Sequence, residues 1–499
     1  MEKGILSKHT HWRKRDTVSL AITYVANVLI FMCLFIALLF LRVGGGWQFS
    51  SFMKNGAQLV KLFALLTLTL SAMFLYFFFE EREFLRRAVN SEMLFLILQV
   101  SLFVCFIIEK YLNIYIRPLA LVAVLTLFLT NSRTAVFMTF FFTTLLFVFD
   151  GFSGITSGFT HLEQAMFPII SLTSGVIAIY VMKDIYSRFR LMVFSIFLSL
   201  PSLICVTALS IGKLFASTYE DIIASLISGP LAIASFIIIL PVFEFLFKKL
   251  TCFKLAELTD HKARYIRKMI IQSPGTFNHA IVVSNLAEAC ATAIGEDALL
   301  ARTCAYYHDI GKLRRPEFFK ENQIDDDNPH DDLTPELSAN IIKSHTVDGY
   351  HYALKNRLPK EVADVAREHH GTMPILYFYD KARKFTDGEV SLAEYSYSGP
   401  KPQTKISAIL MIVDSCEALA RTLSDRSREN VAKAVKKVVS DRMQFGQFDE
   451  CEITLKELNI ITHTVINSLS GVYHSRIEYP KVSIEDLEKE ESTQEEQNG

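Results

Sequence analysis

The sequence has few features of a disulfide-bonded or zinc-ribbon protein. Its eight cysteines are spread along the whole chain and none belongs to a CxxC pair, so reduced thiols are the simplest interpretation. A charge excess is also lacking, because 51 Lys and Arg residues face 52 Asp and Glu residues. No basic stripe interleaved with aromatic residues is present, so nucleic acid is not an expected partner. No apolar–polar alternation of strand length occurs, which favours an all-α fold.

Apolar residues are abundant but unevenly distributed. They make up 51% of the chain, and the mean hydropathy is +0.28, which fits neither one soluble domain nor a chain lying wholly in a membrane. The runs of Phe and Leu end near residue 247, and the remainder has the composition of a soluble protein. The expected domains are a cytoplasmic N-terminus over 1–16, a transmembrane domain over 17–247, a linker helix over 248–272, a second folded domain over 273–479 and a disordered acidic tail over 480–499.

The apolar runs predict about eight membrane spans. A helix needs roughly 20 apolar residues to cross a hydrocarbon layer of ~30 Å. The fourth and fifth runs are short and separated only by Asn131-Ser-Arg-Thr134, so one re-entrant hairpin is an alternative for this pair. The runs lie near 17–41, 59–79, 92–108, 117–131, 135–150, 166–182, 191–212 and 229–247.

Positive charge indicates the orientation of these spans. With eight spans, Lys and Arg concentrate on the side of the N-terminus, while the opposite loop 151–165 contains none. The positive-inside rule then places both termini in the cytoplasm. The first run is too long for a signal peptide and lacks a small-x-small cleavage site, so we expect an uncleaved anchor. Ionisable residues lie only near span ends, at Asp150, Lys183 and Glu244, which favours an anchor or sensor over a transporter.

The second half has the periodicity of amphipathic helices. Apolar residues recur at helical spacing over 279–294, 298–310, 403–424, 427–442 and 453–469. The sequence therefore predicts a helical membrane domain followed by an all-α cytoplasmic domain.

Histidines concentrate in this second domain, since ten of the thirteen lie after residue 260. A lone helical histidine is more often a core or surface residue than a ligand. Asp414 is different, because it shares an apolar helix face with Leu410 and Val413, where an unpaired carboxylate is costly to bury. Candidate metal ligands are His279, His308, Asp309, His345, His369, His370 and Asp414.

Imidazoles and carboxylates at helix ends suit divalent Fe, Mn or Zn. In the adjacent pair His308-Asp309, the imidazole can bind one metal while the carboxylate bridges to a second. Two metals roughly 4 Å apart can hold a hydroxide for in-line attack at phosphorus. Lys312, one turn further on, either offsets charge on phosphoryl oxygens or compensates the dipole at a helix end. Asp309 and Lys312 are the candidate catalytic residues.

The ordered motifs resemble the 7TM-HD family of bacterial membrane phosphodiesterases, which includes the PgpH-type cyclic di-AMP hydrolases. The resemblance is strongest over 273–323, which includes Pro-Gly-Thr-Phe-Asn-His279, Ala-Tyr-Tyr-His308-Asp-Ile-Gly-Lys312 and Glu321-Asn-Gln323. It continues in Asn328-Pro-His-Asp331, Ser344-His345, His369-His-Gly-Thr372 and Asp414-Ser-Cys-Glu-Ala418.

This resemblance implies a helical HD domain with two divalent ions, iron or manganese. One ion would be held by His279, His308, Asp309 and Asp414. The other would be held by Asp309, His345, His369 and His370. A hydroxide activated by the two metals would open cyclic di-AMP to linear pApA. The implied location is the bacterial cytoplasmic membrane, with the lipid bilayer and the cyclic dinucleotide as partners and a homodimer as one open arrangement.

Two departures from the family pattern leave alternatives open. The family usually carries a large extracellular domain after the first span, whereas here only about residues 42–58 are available. Related enzymes that cut cyclic di-GMP follow the paired histidines with Gly-Tyr-Pro, whereas this chain has His369-His-Gly-Thr-Met-Pro374, which favours the adenine dinucleotide. The alternatives are a hydrolase of cyclic di-GMP or another nucleotide, and a membrane receptor that binds a nucleotide without hydrolysing it.

Overall fold

The computed structural model describes residues 14–43, 54–85, 87–154, 161–210, 218–323, 328–385 and 389–472. The predicted acidic tail 480–499 and most of the cytoplasmic N-terminus lie outside the described residues, as does the centre of the 42–58 loop. The chain divides into two compact units, Met1–Lys254 and Leu255–Gly499. Each unit is helical, and the described residues form no strand, only an isolated bridge between Pro374 and Ser396. The predicted all-α class is confirmed.

The first unit is built from long apolar helices. Within the described residues, seven helices are long and apolar enough to cross a membrane, and the unit belongs to a multi-pass membrane protein. Its helices are α1 Lys14–Val43, α2 Gly56–Glu80, α3 Arg82–Leu85, α4 Ala88–Tyr111, α5 Leu121–Leu129, α6 Ser132–Ser153, α7 His161–Met182, α8 Arg188–Phe194, α9 Ile196–Ser210 and α10 Thr218–Phe247.

The fourth predicted span, 117–131, differs from the others. Its helix α5 has nine residues, about 14 Å at the usual rise, and a 3₁₀ turn at Ile114–Ile116 precedes it. Residues 121–125 are fully buried, so other helices of the unit surround this segment. Its apolar composition therefore reflects burial in protein, and length alone does not show that it crosses the membrane.

Three ionisable residues near the ends of apolar segments form a buried cluster. Glu109, Arg117 and Asp150 are at most 6% exposed in the first unit. The Arg117 guanidinium pairs with both carboxylates. Sequence reasoning noticed Asp150 but not its partners, because the three residues come from separate segments that only the fold brings together.

The second unit is a bundle whose helices begin and end at recognisable signals. Thr334 caps α15 and Pro335 occupies its first turn, as predicted. Gly295 ends α13 in the left-handed conformation (φ 78°), which favours glycine. The helices from 252 onwards are α11 Cys252–Thr259, α12 Arg264–Gln272, α13 Pro274–Ile294, α14 Ala298–Tyr307, α15 Pro335–Lys355, α16 Lys360–Glu368, α17 Leu376–Phe385, α18 Lys405–Thr422, α19 Arg428–Gln444 and α20 Leu455–Val472.

Candidate metal centre

Five segments of the second unit bring the candidate ligands together. His279 lies in α13, His345 in α15 and Asp414 in α18, while two His-containing pairs directly follow the ends of α14 and α16. The segment after α14 continues as a 3₁₀ helix, Ile310–Arg314. It passes so close to α15 that a Cβ on Gly311 would overlap the His345 carbonyl oxygen. Glycine at this position therefore lets His308 and Asp309 approach His345.

The Asp309 carboxylate lies at the centre of the cluster and is 1% exposed. Its Oδ2 lies 3.2 Å from His308 Nε2 and 3.8 Å from His279 Nε2. Its Oδ1 lies 3.3 Å from His345 Nε2 and 3.7 Å from His369 Nε2. The two oxygens thus face two different pairs of imidazoles, which is the geometry that a bridging carboxylate needs.

Backbone hydrogen bonds fix the tautomers of three histidines. The Nδ1 atoms of His308, His345 and His369 lie 2.7, 2.6 and 3.0 Å from the carbonyl oxygens three residues earlier. Each Nδ1 therefore donates its proton, and in the neutral ring each Nε2 keeps a lone pair. These lone pairs converge, because His345 Nε2 and His369 Nε2 are only 3.3 Å apart. Converging lone pairs are stabilised by a cation placed between them.

Two atoms at the centre have no hydrogen-bond partner among the described residues. They are His308 Nε2 and Asp309 Oδ1, and both are fully buried. A buried acceptor without a partner costs about 1–3 kcal/mol. Metal coordination would satisfy both atoms, so the residues present fit a metal ion at this position.

Asp414 receives the counter-charge that its apolar helix face requires. Its Oδ1 lies 2.9 Å from His279 Nε2 and 3.6 Å from His308 Nε2. Its Oδ2 lies 3.8 Å from His370 Nδ1. On the far side of His279, Nδ1 contacts Glu417 Oε2 at 2.6 Å. A carboxylate that holds the second nitrogen of a ligating histidine orients the ring and fixes its tautomer.

The candidate ligands form three overlapping groups whose donor atoms lie within 4.8 Å of one another. Every residue of the predicted set belongs to at least one group, and each group could hold a metal ion. The groups are His279, His308 and Asp414; His308, Asp309 and His369; and His345, His369 and His370.

Lys312 lies between two carboxylates. Its Nζ is 2.7 Å from Asp309 Oδ2 and 2.7 Å from Glu321 Oε1, and it lies over the Phe319 ring at 4.9 Å. Glu321 belongs to a loop held by Asn322, whose side chain accepts from the Thr276 amide at 3.1 Å and donates to its hydroxyl at 2.9 Å. The ammonium group is therefore positioned at the cluster instead of facing solvent.

Charge is unequal across the cluster. Burial acts to lower the pKa of His308, but the adjacent Asp309 carboxylate outweighs it and raises this pKa to about 10. For His345, burial dominates and lowers the pKa to about 3. Burial also lowers the pKa of His370. The neutral imidazoles of His345 and His370 are ready to donate lone pairs, whereas His308 must lose a proton before it can bind a metal.

Sequence reasoning missed three residues that contact the cluster. Glu417 was visible only as part of the Asp-Ser-Cys-Glu motif, one helical turn after Asp414, and Glu321 only as part of Glu-Asn-Gln. Tyr397 had no signal at all, yet its ring stacks on His370 with centroids 4.5 Å apart. Tyr397 lies in the loop between α17 and α18. Helical periodicity does not predict the position of loop residues.

Comparison with known proteins gives matches in both units. Residues 57–251 match the family described as 7TM receptor with intracellular HD hydrolase, and residues 276–419 match the HD domain. The chain is 35% identical over 423 residues to the cyclic-di-AMP phosphodiesterase PgpH of Bacillus subtilis, covering 83% of this chain and 59% of that protein. It is 38% identical over 399 residues to PgpH of Listeria monocytogenes, covering 76% and 53%. The chain thus spans little more than half the length of these curated relatives.

A solved structure also matches the second unit. It is the HD domain of the L. monocytogenes phosphodiesterase PgpH in complex with cyclic-di-AMP, with 47% sequence identity and a TM-score of 0.41. The match covers 43% of this chain and 99% of that one.

Proposed function

Because the chain belongs to the family of 7TM receptors with an intracellular HD hydrolase, we propose that it is a membrane-anchored, metal-dependent phosphodiesterase that hydrolyses cyclic di-AMP to linear pApA. The observation that carries this proposal is the convergence of imidazole lone pairs on the two oxygens of the buried Asp309 carboxylate. Such a cluster is expensive to bury without a cation, and it has the donor types that divalent transition metals prefer.

In this proposal Asp309 is shared by two metal sites. His279, His308 and Asp414 complete the first, and His345, His369 and His370 complete the second. The mixed nitrogen and oxygen donors are compatible with iron or manganese. Bound metals would supply an activated water and neutralise charge on the scissile phosphate.

Other side chains prepare the site for this reaction. Glu417 keeps the His279 ring oriented with its Nε2 towards Asp414. The Lys312 ammonium lies beside the shared carboxylate, where it can balance negative charge that develops on a phosphoryl oxygen. Glu321 holds that ammonium in place. These roles belong to the chain itself and do not depend on which metal is present.

The proposed substrate follows from the curated relatives. Both PgpH proteins are named as cyclic-di-AMP phosphodiesterases, and they match most of this chain at 35% and 38% identity. The chain spans only part of their length, so ligand sensing by regions outside the matched part is not carried over. The absence of Gly-Tyr-Pro after the paired histidines is consistent with the adenine dinucleotide.

For the membrane unit, we propose insertion in the bacterial cytoplasmic membrane with both termini in the cytoplasm. The match to the 7TM family spans six of the long described helices and the short apolar segment Ile114–Leu129. Counting that segment as the seventh, and adding α1, gives an even number of crossings. The positive-inside pattern supports the same orientation. A homodimer stays a prediction, which light scattering of the solubilised protein would test.

The activity is tested with the full-length chain in detergent, loaded with Mn²⁺ or with Fe²⁺ under anaerobic conditions. Cyclic di-AMP, cyclic di-GMP and linear pApA are offered separately and the products are separated by chromatography. We expect metal-dependent conversion of cyclic di-AMP to pApA, absent in an Asp309→Asn variant that retains its helical content. Turnover of cyclic di-GMP alone would refute the proposed substrate, and no turnover by folded, metal-loaded protein would refute the proposed reaction.

A further inference from the structure

The membrane unit contains a second buried charge cluster, far simpler than the metal centre. Glu109 lies in the last turns of α4, Arg117 in the segment before α5, and Asp150 near the end of α6. Their exposed fractions are 6%, 1% and 4%. Ionisable side chains buried within membrane helices are costly and commonly mark functional sites.

The hydrogen bonds in this cluster are unequal. Asp150 accepts two from Arg117, with Nη1 to Oδ2 and Nη2 to Oδ1 both at 2.8 Å. This is the bidentate geometry of a strong guanidinium–carboxylate pair. Glu109 contacts the same guanidinium, but neither of its oxygens has a hydrogen-bond partner among the described residues. Asp150 is therefore held by two well-formed hydrogen bonds, whereas Glu109 has only its close contact with the same guanidinium.

The charges of the three ionised groups sum to −1, and among the described residues no further Lys or Arg forms a salt bridge with Glu109 or Asp150. Arg42 on α1 also attracts Glu109, but less than Arg117 does, and the Lys110 ammonium donates to the Leu41 carbonyl. Asp221 on α10 accepts a hydrogen bond from the Asn113 amide at 2.8 Å. Cys105, one turn before Glu109, adds no positive charge. One bound cation would bring the charge of these three groups to zero.

A proton suits this position better than a metal ion. Metal ions of the size of Na⁺ need several oxygen ligands, and the closest partner of Glu109 is a guanidinium. A small cavity adjoins Arg117, lined also by Tyr115, Ser174 and Ser202, and it has room for roughly one water molecule. Water there is a source from which a proton can be exchanged.

We propose that Glu109, together with the Arg117–Asp150 pair, forms a proton-binding site of the membrane unit, with the proton carried by the Glu109 carboxyl group. One proton reduces the net charge of the cluster to zero while the guanidinium keeps its pair with Asp150. The site gives the membrane unit a group that responds to protons independently of the metal centre. It depends on no assumption about the reaction of the second unit.

Infrared spectroscopy of the full-length chain in phospholipid nanodiscs at neutral pH tests the site, because a protonated carboxyl group has a carbonyl stretch absent from a carboxylate. The wild type minus Glu109→Gln difference spectrum is expected to show this band, while other protonated carboxyls cancel. Asp150→Asn is expected to remove the same band, since Glu109 and Arg117 then form a neutral pair. The matched control is Glu92→Gln, an exposed position on the same helix, which should leave the band intact.

Stability separates this site from a purely structural ion triad. Glutamine has the shape of protonated glutamate, so Glu109→Gln is expected to keep the wild-type unfolding temperature. A triad with both carboxylates ionised would show no carboxyl band in the wild type and would be destabilised by this substitution. Either result, or a band that persists in Glu109→Gln, would overturn the proposal.

Discussion

The buried carboxylates of the two units contact different kinds of side chain. In the membrane unit, Asp150 is paired with a guanidinium supplied by the same chain. In the second unit, Asp309 pairs with the Lys312 ammonium and is also surrounded by four imidazoles. The guanidinium pairs with Asp150 without offering lone pairs, whereas the imidazoles around Asp309 have nitrogen atoms that can bind a cation from outside. The comparison shows that a buried carboxylate can form an ion pair in one unit and part of a candidate metal centre in the other.

Replacing the central carboxylate is expected to have the largest effect. Asp309→Asn removes the charge that both proposed metal sites share, so hydrolysis by the full-length chain should fall on the order of a thousandfold or more. Initial rates with saturating Mn²⁺ measure the loss. Asp364→Asn, on α16 and partly exposed, serves as the control and should retain full activity. A rate for Asp309→Asn within tenfold of wild type would end the claim that this carboxylate is catalytic.

Removing the guanidinium should be nearly as damaging, but to stability. Arg117→Met leaves the buried Asp150 carboxylate without its partner, which typically costs about 3–5 kcal/mol. The free energy of unfolding is measured by denaturant titration in mixed micelles. The control is Arg133→Met, because Arg133 pairs with Glu80 in an exposed position and its removal should change stability little. Equal effects of the two substitutions would contradict the account.

Metal removal should distinguish the units directly. A ligand at a hundred times its dissociation constant stabilises the folded state by about 2.7 kcal/mol. A chelator should therefore lower the unfolding temperature of the second unit and abolish hydrolysis. The membrane unit, whose buried Arg117–Asp150 pair needs no metal, should unfold at the same temperature with or without chelator. A shift of both transitions in calorimetry would show that the contrast between the units is wrong.

Weakening the contact between Glu417 and His279, a candidate ligand, should have a smaller effect on metal affinity. Glu417→Gln keeps the size of the side chain but weakens its hold on His279, and such changes typically cost 10–100-fold in metal affinity or activity, about 1.4–2.7 kcal/mol. Metal titration monitored by calorimetry measures it. Glu429→Gln, exposed on α19, should bind metal as the wild type does. Unchanged affinity in Glu417→Gln would remove this residue from the site.

The smallest expected effect is the release of a proton when metal binds. Burial opposes protonation of His308, yet Asp309 raises its pKa to about 10, above about 6.5 in an unfolded chain. In metal-free protein this interaction stabilises the fold fully below about pH 6.5, and the stabilisation is lost as pH rises through about 10. A metal must displace that proton, so binding at neutral pH should release about one proton per chain from this residue. Calorimetry in buffers of different ionisation enthalpy counts it, and His308→Gln should release one fewer.

Helical class and the gathering of ligands were predictable because both follow local patterns. The His308-Asp309 pair, the paired histidines at a helix end and the carboxylate on an apolar face each carry their signal within a few residues. Asp414 was noticed because its neighbours in sequence are apolar, and the structure supplies His279 as its partner. The predicted residues therefore meet in one place, although their role as ligands stays a prediction.

What escaped prediction depends on contacts between distant segments. The sequence around Glu109 and Arg117 does not predict their contact with Asp150. The three residues lie in separate segments that meet only in the folded unit. For the short α5, composition predicts a span but does not distinguish a run buried inside protein from one facing lipid, so its crossing stays a prediction. Tyr397 reaches His370 from a loop, where periodicity carries no information.

The central claim is that Asp309 is shared by two metal ions, and counting metals tests it most directly. Full-length protein is loaded with Mn²⁺, freed of excess metal by gel filtration and analysed by elemental mass spectrometry against protein concentration. The account expects two ions per chain in the wild type, at most one in His345→Ala, and wild-type content in His351→Ala, an exposed position on the same helix. A wild-type chain that holds a single ion, unchanged by His345→Ala, would contradict it.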